Sequence, residues 1–588
     1  MLALPLYVAV VVWLTWPLAA HVDTALPHTW EGCHFDLLQM VWALAHQSRA
    51  LVTAPWAIAE ANIYYPTPHA LFYGDAGSGA LPFFMPTFLL TGNPALASNL
   101  LFLGSVALAA WALHAVVTRW TGSHLAGFVA AWSFLTSRWV LWTWIPSAPH
   151  YAVLVYFPFV MLLGAMPTTG RGPALLLLSL LVLQGLATIY VAVPMLLGVG
   201  IIATVRALGP RSRRAGFRLI AVVLVAGLFL LAADAGYLVV RAENPSLATQ
   251  TPWNTSADAV ELPWGPLRAD MPMGVPVVTL LLITAGAVSV AWSRAGNRIP
   301  GAPWVHGAYW VIVGLGLGLS LTPTVRWFGT PISLGPFVLS SWLPGLRRFD
   351  RMGVVGLMGL SVLAGIAFAE CARRPGHRRL PSWATTALAG AVAAAMYAQY
   401  ARGVAMPGPL RVASLPSSYP IEPAIAPTSP LLDVLRKPGG PLVEVPATWG
   451  RLHHPVPAFN ASAMYRSIFH GRSLLNGYDG YWPAEFPGRM ALAATLPDPG
   501  ALARLRRETG LELILAHVGQ FGLVEREVCE GLEQAYGPLP PPGCHQDFGG
   551  AERAAWLGIA EQGGRDDLHL LARDGDDLLF AVTSSPAG

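Results

Sequence analysis

The sequence predicts a polytopic α-helical membrane protein of about eleven transmembrane helices, followed by an extracytoplasmic α/β domain at its C-terminal end. Of the 588 residues, 54% are hydrophobic and only 12% are charged, whereas soluble domains carry about 25% charged residues. Apolar runs of roughly 20 residues, the length that crosses a bilayer core, recur through the N-terminal two thirds of the chain. Lipid is therefore the expected solvent for most of the chain.

Eleven apolar runs are candidates for these helices. They lie near 2–20, 95–118, 124–139, 150–166, 173–188, 189–206, 218–240, 275–293, 303–322, 352–371 and 383–400. The stretch 172–206 is too long for one span, and Gln184, Gly185 and Thr188 near its middle predict a break. The run 79–91 is short and holds two prolines, which predicts an interfacial or re-entrant piece.

Clusters of arginine predict the orientation of the chain. Three basic loops, at 206–218, 294–298 and 373–379, fall on one side of the membrane if the helix count is right. The positive-inside rule makes that side cytoplasmic. Lys437 is the single lysine among 36 basic residues, a bias typical of a GC-rich bacterial genome. We therefore expect a protein of the bacterial cytoplasmic (inner) membrane with a cytoplasmic N-terminus and a periplasmic C-terminal domain.

Composition divides the chain into three parts. Residues 1–403 form the predicted transmembrane domain with a long first outer loop at 21–94, a Pro-rich linker covers 404–430, and the α/β domain covers 431–588. Residues 404–588 carry 14 basic and 20 acidic side chains, a net charge of −6, and the remainder carries 22 and 12, a net charge of +10. The positive charge of residues 1–403 is explained by the basic loops of a membrane domain. No nucleic acid partner is therefore expected.

Local patterns add three expectations. Phe35–Leu51 is amphipathic and predicts a helix that lies along the membrane surface, with a packed loop helix as the alternative. Arg573–Asp577 separates two β-like runs and is typical of a hairpin turn. Cys529 and Cys544 are disulfide candidates if their domain is periplasmic, and two separate thiols are the alternative.

The motifs of several enzyme classes are missing from the sequence. It contains no phosphate-binding Gly-rich loop and no HExxH, GxSxG or CxxC motif, so nothing supports a nucleotide-driven pump. The first outer loop is instead rich in acidic, aromatic and histidine residues. These are Asp23, Glu31, His34, Asp36, His46, Glu60, Tyr64, Tyr65, His69 and Asp75.

Several short segments resemble those of bacterial GT-C fold glycosyltransferases. Asp36–Trp42, just after the first helix, resembles their GD-x-x-x-x-x-W signature, with Phe35 in place of the usual glycine. The other segments are Ile63–Pro66, Leu90–Pro94, Leu343–Arg351, Met464-Tyr465, His470-Gly471-Arg472 and Asn476-Gly477-Tyr478. Each segment is short, but the resemblance extends over nearly the whole chain. It implies an integral membrane glycosyltransferase.

The resemblance also implies a donor and a set of roles. Such enzymes act outside the cytoplasm, where nucleotide sugars are absent, so the donor is a polyprenyl-phosphate-linked sugar and the acceptor an envelope component that the sequence does not identify. Asp36 is the candidate base for an inverting transfer, with Asp75 as a second candidate carboxylate. Arginines suit the donor phosphate, and the candidates are Arg347, Arg348 and Arg351. No cofactor is certain, and a divalent metal that bridges a carboxylate to the phosphate is left open.

Each of these roles has a structural alternative. Asp36 and Asp75 could cap the helices that follow them, and the arginines could pair with Asp350 or with anionic membrane lipid. Further candidates for acceptor or substrate contact are His34, His69, Tyr65, His470, Arg472 and Tyr478. His34 and His69 could instead be loop hydrogen-bonding residues, and His470, Arg472 and Tyr478 could form a turn that seats the C-terminal domain.

Two other functions compete with glycosyl transfer. A transporter or flippase for a lipid-linked sugar usually carries ionisable residues inside its spans and internal repeats. Here Asp234 and Glu370 are the main charges within the apolar runs, and no repeat is evident. The other function is that of a non-catalytic envelope scaffold. Such a scaffold would not require a carboxylate and an arginine cluster to lie together at the outer face of the membrane.

Overall fold

The structure, a computed structural model, divides into two compact units. It describes residues 3–29, 34–166, 170–248, 260–262, 265–268, 271–292, 302–338, 348–372, 380–403, 414–426, 429–449, 454–536, 544 and 546–583. One unit, here called the helical unit, comprises Met1–Cys33, Gly77–Ala235 and Ala248–Pro423. The other, the mixed unit, comprises His34–Ala76, Gly236–Leu247 and Ala424–Gly588. Part of the first outer loop therefore folds with the C-terminal segment, a grouping that the linear sequence does not indicate.

The helical unit has a helix within each of the eleven predicted runs. Its helices are α1 Ala3–Leu14, α3 Leu81–Thr91, α4 Pro94–Thr121, α5 His124–Leu135, α6 Tyr156–Ala165, α7 Arg171–Ala187, α8 Ile189–Leu208, α9 Arg213–Ala233, α11 Val277–Trp292, α12 Ala302–Leu319, α13 Val354–Cys371 and α14 Ser382–Arg402. Among the described residues, four helices are long and apolar enough to cross a membrane, namely Pro94–Thr121, Ile189–Leu208, Arg213–Ala233 and Phe349–Cys371. The total number of spans stays a prediction.

The break predicted inside 172–206 is present. Helix α7 ends at Ala187, and Thr188 is the N-cap of α8, where its hydroxyl accepts a hydrogen bond from Tyr190 N. Gln184 is fully buried, and its amide donates to Val153 O at 2.6 Å and accepts from Phe157 N at 3.1 Å. The polar residues therefore mark a capped boundary and satisfy buried backbone groups.

Helix α13 is the centre of the helical unit. It packs against α4, α5, α11 and α12, and every residue from Val354 to Glu370 is buried. The segment Leu90–Pro94 joins α3 to α4. Asn93 is the N-cap of α4: its side-chain oxygen accepts from Leu96 N at 2.9 Å, and its amide donates to Asp23 O at 2.9 Å. That segment of the resemblance therefore has a structural role at a helix junction.

Two small sheets belong to the helical unit. Strand β1 Ala25–Pro27 pairs with β5 Ile421–Pro423 in an antiparallel ladder. A three-stranded sheet joins β2 Val260–Leu262, β3 Thr324–Trp327 and β4 Thr330–Ser333. In it β2 and β3 are parallel, and β3 and β4 form a hairpin.

The mixed unit combines helices with a five-stranded sheet. Its helices are α2 His34–Thr53, α10 Ala235–Glu243 (whose first residue belongs to the helical unit), α15 Pro430–Leu435, α16 Pro457–His470, α17 Phe486–Ala494, α18 Pro499–Thr509, α19 Leu523–Tyr536 and α20 Gly550–Glu561. The strands are β6 Leu442–Val445, β7 Thr448–Trp449, β8 His454–Pro455, β9 Leu513–His517, β10 Gly564–Arg565, β11 Leu568–Asp574 and β12 Asp577–Val582. The five-stranded sheet has the order β10-β11-β12-β9-β6. Only its β6 and β9 run parallel.

Three local expectations can be compared with this unit. The amphipathic stretch forms α2, which packs against α16, and its residues Leu37–Ala45 are all buried. This burial on all sides fits the alternative interpretation, a packed helix, better than a helix that lies along the membrane surface. Asp574 and Asp577 close the β11–β12 hairpin, as the turn residues indicate. Cys529 and Cys544 form a disulfide. Of the predicted linker at 404–430, residues 404–413 and 427–428 lie outside the described residues, and strand β5 of the helical unit lies within it.

Candidate functional site

The first turn of α2 brings Asp36 to the Asn476-Gly477-Tyr478 segment. The Tyr478 hydroxyl donates a hydrogen bond to Asp36 Oδ1 at 2.6 Å. The Phe35 ring meets the Tyr478 ring edge to face, with centroids 5.2 Å apart. Asp36 and Tyr478 are both half-buried, so this short contact joins a carboxylate and a phenol at the edge of the mixed unit. Such a contact is stronger than one between neutral groups.

The residues before Tyr478 hold it in place. Asn476 is fully buried: its side-chain oxygen accepts from Glu444 N at 2.8 Å, and its amide donates to Glu444 O at 2.9 Å and to Asn460 Oδ1 at 3.0 Å. Tyr478 N donates to Met464 Sδ at 3.1 Å. Because the amide of Asn476 is bonded on both sides to strand β6, the position of Tyr478 is tied to the sheet two residues away.

The loop after α2 pairs with the same segment. Leu474 N donates to Asn62 O, Tyr65 N to Leu474 O and Tyr64 N to Asn476 O, at 2.7, 3.0 and 3.1 Å. Gly477 lies against the Tyr64 ring so closely that a Cβ there would sit 2.2 Å from a ring carbon. The glycine of the Asn-Gly-Tyr segment therefore permits the loop and the segment to touch.

Asp75 lies next to this segment as well. Tyr481 N donates to Tyr73 O at 2.9 Å, and a Cβ on Gly74 would lie 1.4 Å from Asp479 Oδ1. Asp75 is half-buried. Both predicted carboxylates therefore belong to stretches that contact residues 478–481. Asp479, nine-tenths buried, was not among the predicted residues, although its place directly after Tyr478 could have suggested it.

The predicted residues of the first loop differ in their surroundings. His69 has a left-handed backbone, its Nδ1 lies 2.9 Å from Glu60 Oε1, and its N–H donates to Glu60 Oε2. This partly exposed pair is typical of a turn. His34 is the first residue of α2 and is half-buried. Tyr65 enters the backbone pairing described above, and its side chain is half-buried.

His470 and Arg472 face inward in the mixed unit. The Arg472 guanidinium donates to three backbone carbonyls, Leu435 O at 2.7 Å, Lys437 O at 2.7 Å and Gly440 O at 3.2 Å. His470 Nδ1 accepts from Arg472 N at 3.1 Å, and burial lowers the pKa of His470 to about 4. The guanidinium satisfies carbonyls at the end of α15 and in the turn after it, and His470 satisfies the backbone N–H of Arg472, which favours the structural interpretation of this pair.

A buried ionic cluster lies at the carboxyl ends of β6 and β9. Glu444 is fully buried, and its Oε2 accepts from Arg466 Nε at 2.8 Å and lies 3.1 Å from His517 Nε2. His517 Nδ1 lies 2.7 Å from Asp577 Oδ1. Despite burial, the charges of Arg466 and His517 lower the pKa of Glu444 to about 2. Sequence reasoning missed this cluster because its members come from separate strands and a helix.

The predicted phosphate-binding arginines belong to the helical unit. Arg347 lies outside the described residues. Arg348 forms a bidentate pair with Asp350, with N–O distances of 3.0 and 2.9 Å. The Arg351 guanidinium lies 3.9 Å from the centroid of the Trp144 ring and 5.5 Å from that of Tyr190. These cation–π and ion-pair contacts hold both guanidinium groups in fixed positions.

Metal ligation was left open by the sequence. Among the residues that the structure describes, neither Asp36 nor Asp75 belongs to a group of three side chains with ligand atoms close enough to share an ion. Cys529 and Cys544 approach Glu533 but are joined to each other. In the described part of the chain, neither predicted carboxylate therefore has a set of neighbouring metal ligands.

These features define a membrane protein with the GT-C glycosyltransferase fold, which confirms the resemblance at the level of the fold. The arabinofuranosyltransferase AftD from Mycobacteria matches 99% of this chain with a TM-score of 0.54 and 14% sequence identity. The chain spans 40% of the length of that protein. ArnT from Cupriavidus metallidurans, bound to undecaprenyl phosphate, matches 99% of this chain and 98% of its own at 13% identity, but its TM-score of 0.44 is too low to support an inference. No family model and no curated protein matches the chain.

Proposed function

We propose that this chain is an inverting glycosyltransferase that moves a sugar from a polyprenyl-phosphate donor to an envelope acceptor at the outer face of the membrane. The observation that carries the proposal is the contact between the Tyr478 hydroxyl and Asp36 Oδ1. The fold shared with a mycobacterial arabinofuranosyltransferase supports it. In this proposal Asp36 is the catalytic base and Tyr478 orients its carboxylate.

The chemistry follows from one displacement at the anomeric carbon. The acceptor hydroxyl attacks that carbon from the face opposite the phosphate, the new C–O bond forms, and the bond to the phosphate oxygen breaks. Asp36 takes the hydroxyl proton as the attack proceeds. Because Tyr478 donates to one carboxylate oxygen, it limits the rotation of the Asp36 side chain and favours one oxygen lone pair for the acceptor.

The leaving polyprenyl phosphate needs positive charge. We propose that Arg347, Arg348 and Arg351 supply it, because guanidinium groups match phosphate oxygens. The contact of Arg351 with Trp144 supports this role, since it fixes that guanidinium before substrate arrives, whereas Arg348 shares its charge with Asp350. A free arginine on a mobile side chain would lose more entropy on binding.

The sidedness belongs to the proposal as well. A cytoplasmic N-terminus and a periplasmic mixed unit are supported by the arginine-rich segment at 206–218 and the Cys529–Cys544 disulfide. The same arguments favour the bacterial inner membrane.

The test is donor consumption by the reconstituted full-length protein. A panel of polyprenyl-phosphate sugars is offered to the wild type, to Asp36→Asn and to Tyr478→Phe. We expect Asp36→Asn to lose about 100-fold or more of the activity, the usual worth of a general base. Tyr478→Phe should lose about 10- to 150-fold, because a hydrogen bond to a charged group is worth roughly 1.5–3 kcal/mol.

Two matched variants serve as controls. Asp433→Asn removes an exposed carboxylate of the mixed unit that pairs with Arg436, and Tyr64→Phe removes a hydroxyl that donates to Tyr481 O at 3.3 Å. Both should retain wild-type consumption. Full activity in Asp36→Asn would contradict the assignment of the base. A folded wild type that consumes no donor, with and without added divalent metal, would contradict the transferase itself and favour transport or scaffolding.

A further inference from the structure

The β3–β4 hairpin of the helical unit presents a group of large apolar side chains to solvent. Trp327 is 49% exposed, Phe328 67% and Ile332 42%. Phe337, four residues after the hairpin, is 92% exposed. Val325, which pairs with Ile332 and lies on the same face of the hairpin as Trp327, is only 2% exposed, so the inner end of this face is covered. The exposed residues therefore form one apolar edge on an anchored hairpin.

The turn of this hairpin is an unusual place for phenylalanine. Phe328 and Gly329 are its two central residues, with φ of 49° and 83°. Positive φ at both positions is typical of a two-residue turn that favours Asn-Gly. A bulky side chain in the left-handed region carries a steric cost. The turn therefore holds a strained backbone conformation at Phe328, and its tip carries an exposed aromatic ring.

The tip is also fixed from the neighbouring strand. Gly329 N donates to Glu261 Oε1 at 2.7 Å, and Phe328 N donates to Leu262 O at 3.2 Å. The rings of Trp327 and Phe328 meet edge to face with centroids 5.5 Å apart. A glutamate that caps the turn and two mutually packed rings keep the apolar edge in one arrangement, so it is preformed for whatever it contacts.

The position of the hairpin in the chain indicates its partner. It begins five residues after α12, an apolar helix that ends at Leu319, and it precedes Phe349–Cys371, one of the candidate membrane spans. The chain therefore enters apolar helices on both sides of the hairpin. Aromatic residues next to membrane helices concentrate at the boundary between hydrocarbon and water. The exposed Arg326 guanidinium suits lipid phosphates at the same depth.

We infer that the β3–β4 hairpin seats in the lipid headgroup layer through Trp327, Phe328 and Ile332. It serves as an interfacial anchor for the chain between the two helices, and this inference does not depend on the proposed enzymatic activity.

The test measures lipid contact at the hairpin in reconstituted full-length protein. Cys33 and Cys371 are replaced by serine, which leaves the Cys529–Cys544 disulfide, and Ile332→Cys is labelled with an environment-sensitive dye. The vesicles contain phosphatidylcholine and phosphatidylglycerol, some with a doxyl quencher at the headgroup end of the acyl chain. We expect lipid quenching at this site to exceed, by at least about twofold, that of a label at the exposed Arg507→Cys, as immersion in the interface requires.

A second variant separates anchoring from folding. Phe328→Asn places the favoured residue in the strained turn, so the hairpin keeps its fold and thermal stability does not fall. It removes the apolar ring, and the lipid quenching of the label at residue 332 should drop toward that of the control site. The inference is overturned if the label responds to aqueous iodide and not to lipid quencher, or if Phe328→Asn leaves the lipid quenching unchanged. The first result would assign the apolar edge to a water-borne partner, and the second would show that Phe328 does not hold the hairpin in the lipid.

Discussion

The ionic cluster around Glu444 gives a prediction about stability at low pH. The Glu444 carboxylate has no exposed surface and touches Arg466 and His517, the latter also bonded to Asp577. Its second oxygen, Oε1, is buried and has no hydrogen-bond partner among the described residues. Glu444→Gln removes the charge that holds this arrangement together.

The size of the effect follows from the pKa of Glu444. The charged partners lower it from the ordinary 4.5 to about 2. A lowered pKa means that the folded state prefers the carboxylate, so the stabilisation is complete above about pH 4.5 and is lost as the pH falls toward 2. A difference of about 2.5 units corresponds to roughly 3 kcal/mol at neutral pH. At pH 3 about 1 kcal/mol of this remains, so the loss between pH 7 and pH 3 is about 2 kcal/mol.

Native-state hydrogen exchange on the full-length protein measures this quantity locally. The amides of Leu442–Val445 and Leu513–His517 report the opening of the paired strands β6 and β9. Intrinsic exchange rates are first divided out. We then expect the opening of the wild-type strands to increase between pH 7 and pH 3 by about 30-fold more than that of the Glu444→Gln variant, the equivalent of about 2 kcal/mol. The variant should open more readily than the wild type at neutral pH.

Glu508→Gln is the matched control for this experiment. Glu508 lies on α18 and pairs with Arg504 at 2.7 Å, and both side chains are exposed. An exposed pair of this kind contributes about 0–1 kcal/mol, so this variant should keep the wild-type dependence on pH. The reasoning would be refuted if the wild type and Glu444→Gln showed the same change in opening between the two pH values. The protons would then be taken up by other carboxylates.

Three further predictions concern other contacts of the mixed unit. Gly74→Ala should destabilise the loop by about 1–3 kcal/mol in thermal unfolding, because its Cβ would fall within 1.4 Å of Asp479 Oδ1. Arg472→Lys should cost about 1–3 kcal/mol, measured by exchange of the α15 amides, because one ammonium cannot reach all three carbonyls that the guanidinium binds. Reduction of Cys529–Cys544, which closes a loop with a sequence separation of 15, should lower the free energy of unfolding by about 3 kcal/mol, whereas an unchanged melting temperature after verified reduction would contradict this.

Much of the helical unit could be predicted because the length of an apolar run and the residues that end a helix can be read from the local sequence. Each run long enough to span contains a helix, and Thr188 marks the break between α7 and α8. The grouping of His34–Ala76 with the C-terminal segment could not be predicted in this way. It depends on the packing of α2 against α16 and on backbone bonds such as Tyr64 N to Asn476 O, between residues more than 400 positions apart.

The candidate site shows the same division between local and distant information. Asp36 and Tyr478 were each found through short motifs, but their 2.6 Å contact joins positions 442 residues apart and has no local signal. His470 and Arg472 looked equally able to contact a substrate. Their inward contacts become evident only once the carbonyls of Leu435 and Lys437 are known to end a helix there. A charged residue in a motif thus indicates importance without indicating which way its side chain faces.

The three residues of the Asn476-Gly477-Tyr478 segment make different contacts, and variants of them can separate a catalytic role of the segment from a structural one. Asn476 is bonded to the backbone of β6, Gly477 gives room to Tyr64, and Tyr478 reaches Asp36. A change at Asn476 would therefore move Tyr478 without removing its hydroxyl, while Tyr478→Phe removes the hydroxyl and leaves the backbone in place. If Tyr478 orients a catalytic carboxylate, the two variants should lower donor turnover together, but only the Asn476 variant should loosen β6. If the segment merely seats the domain, stability and turnover should fall in parallel in both.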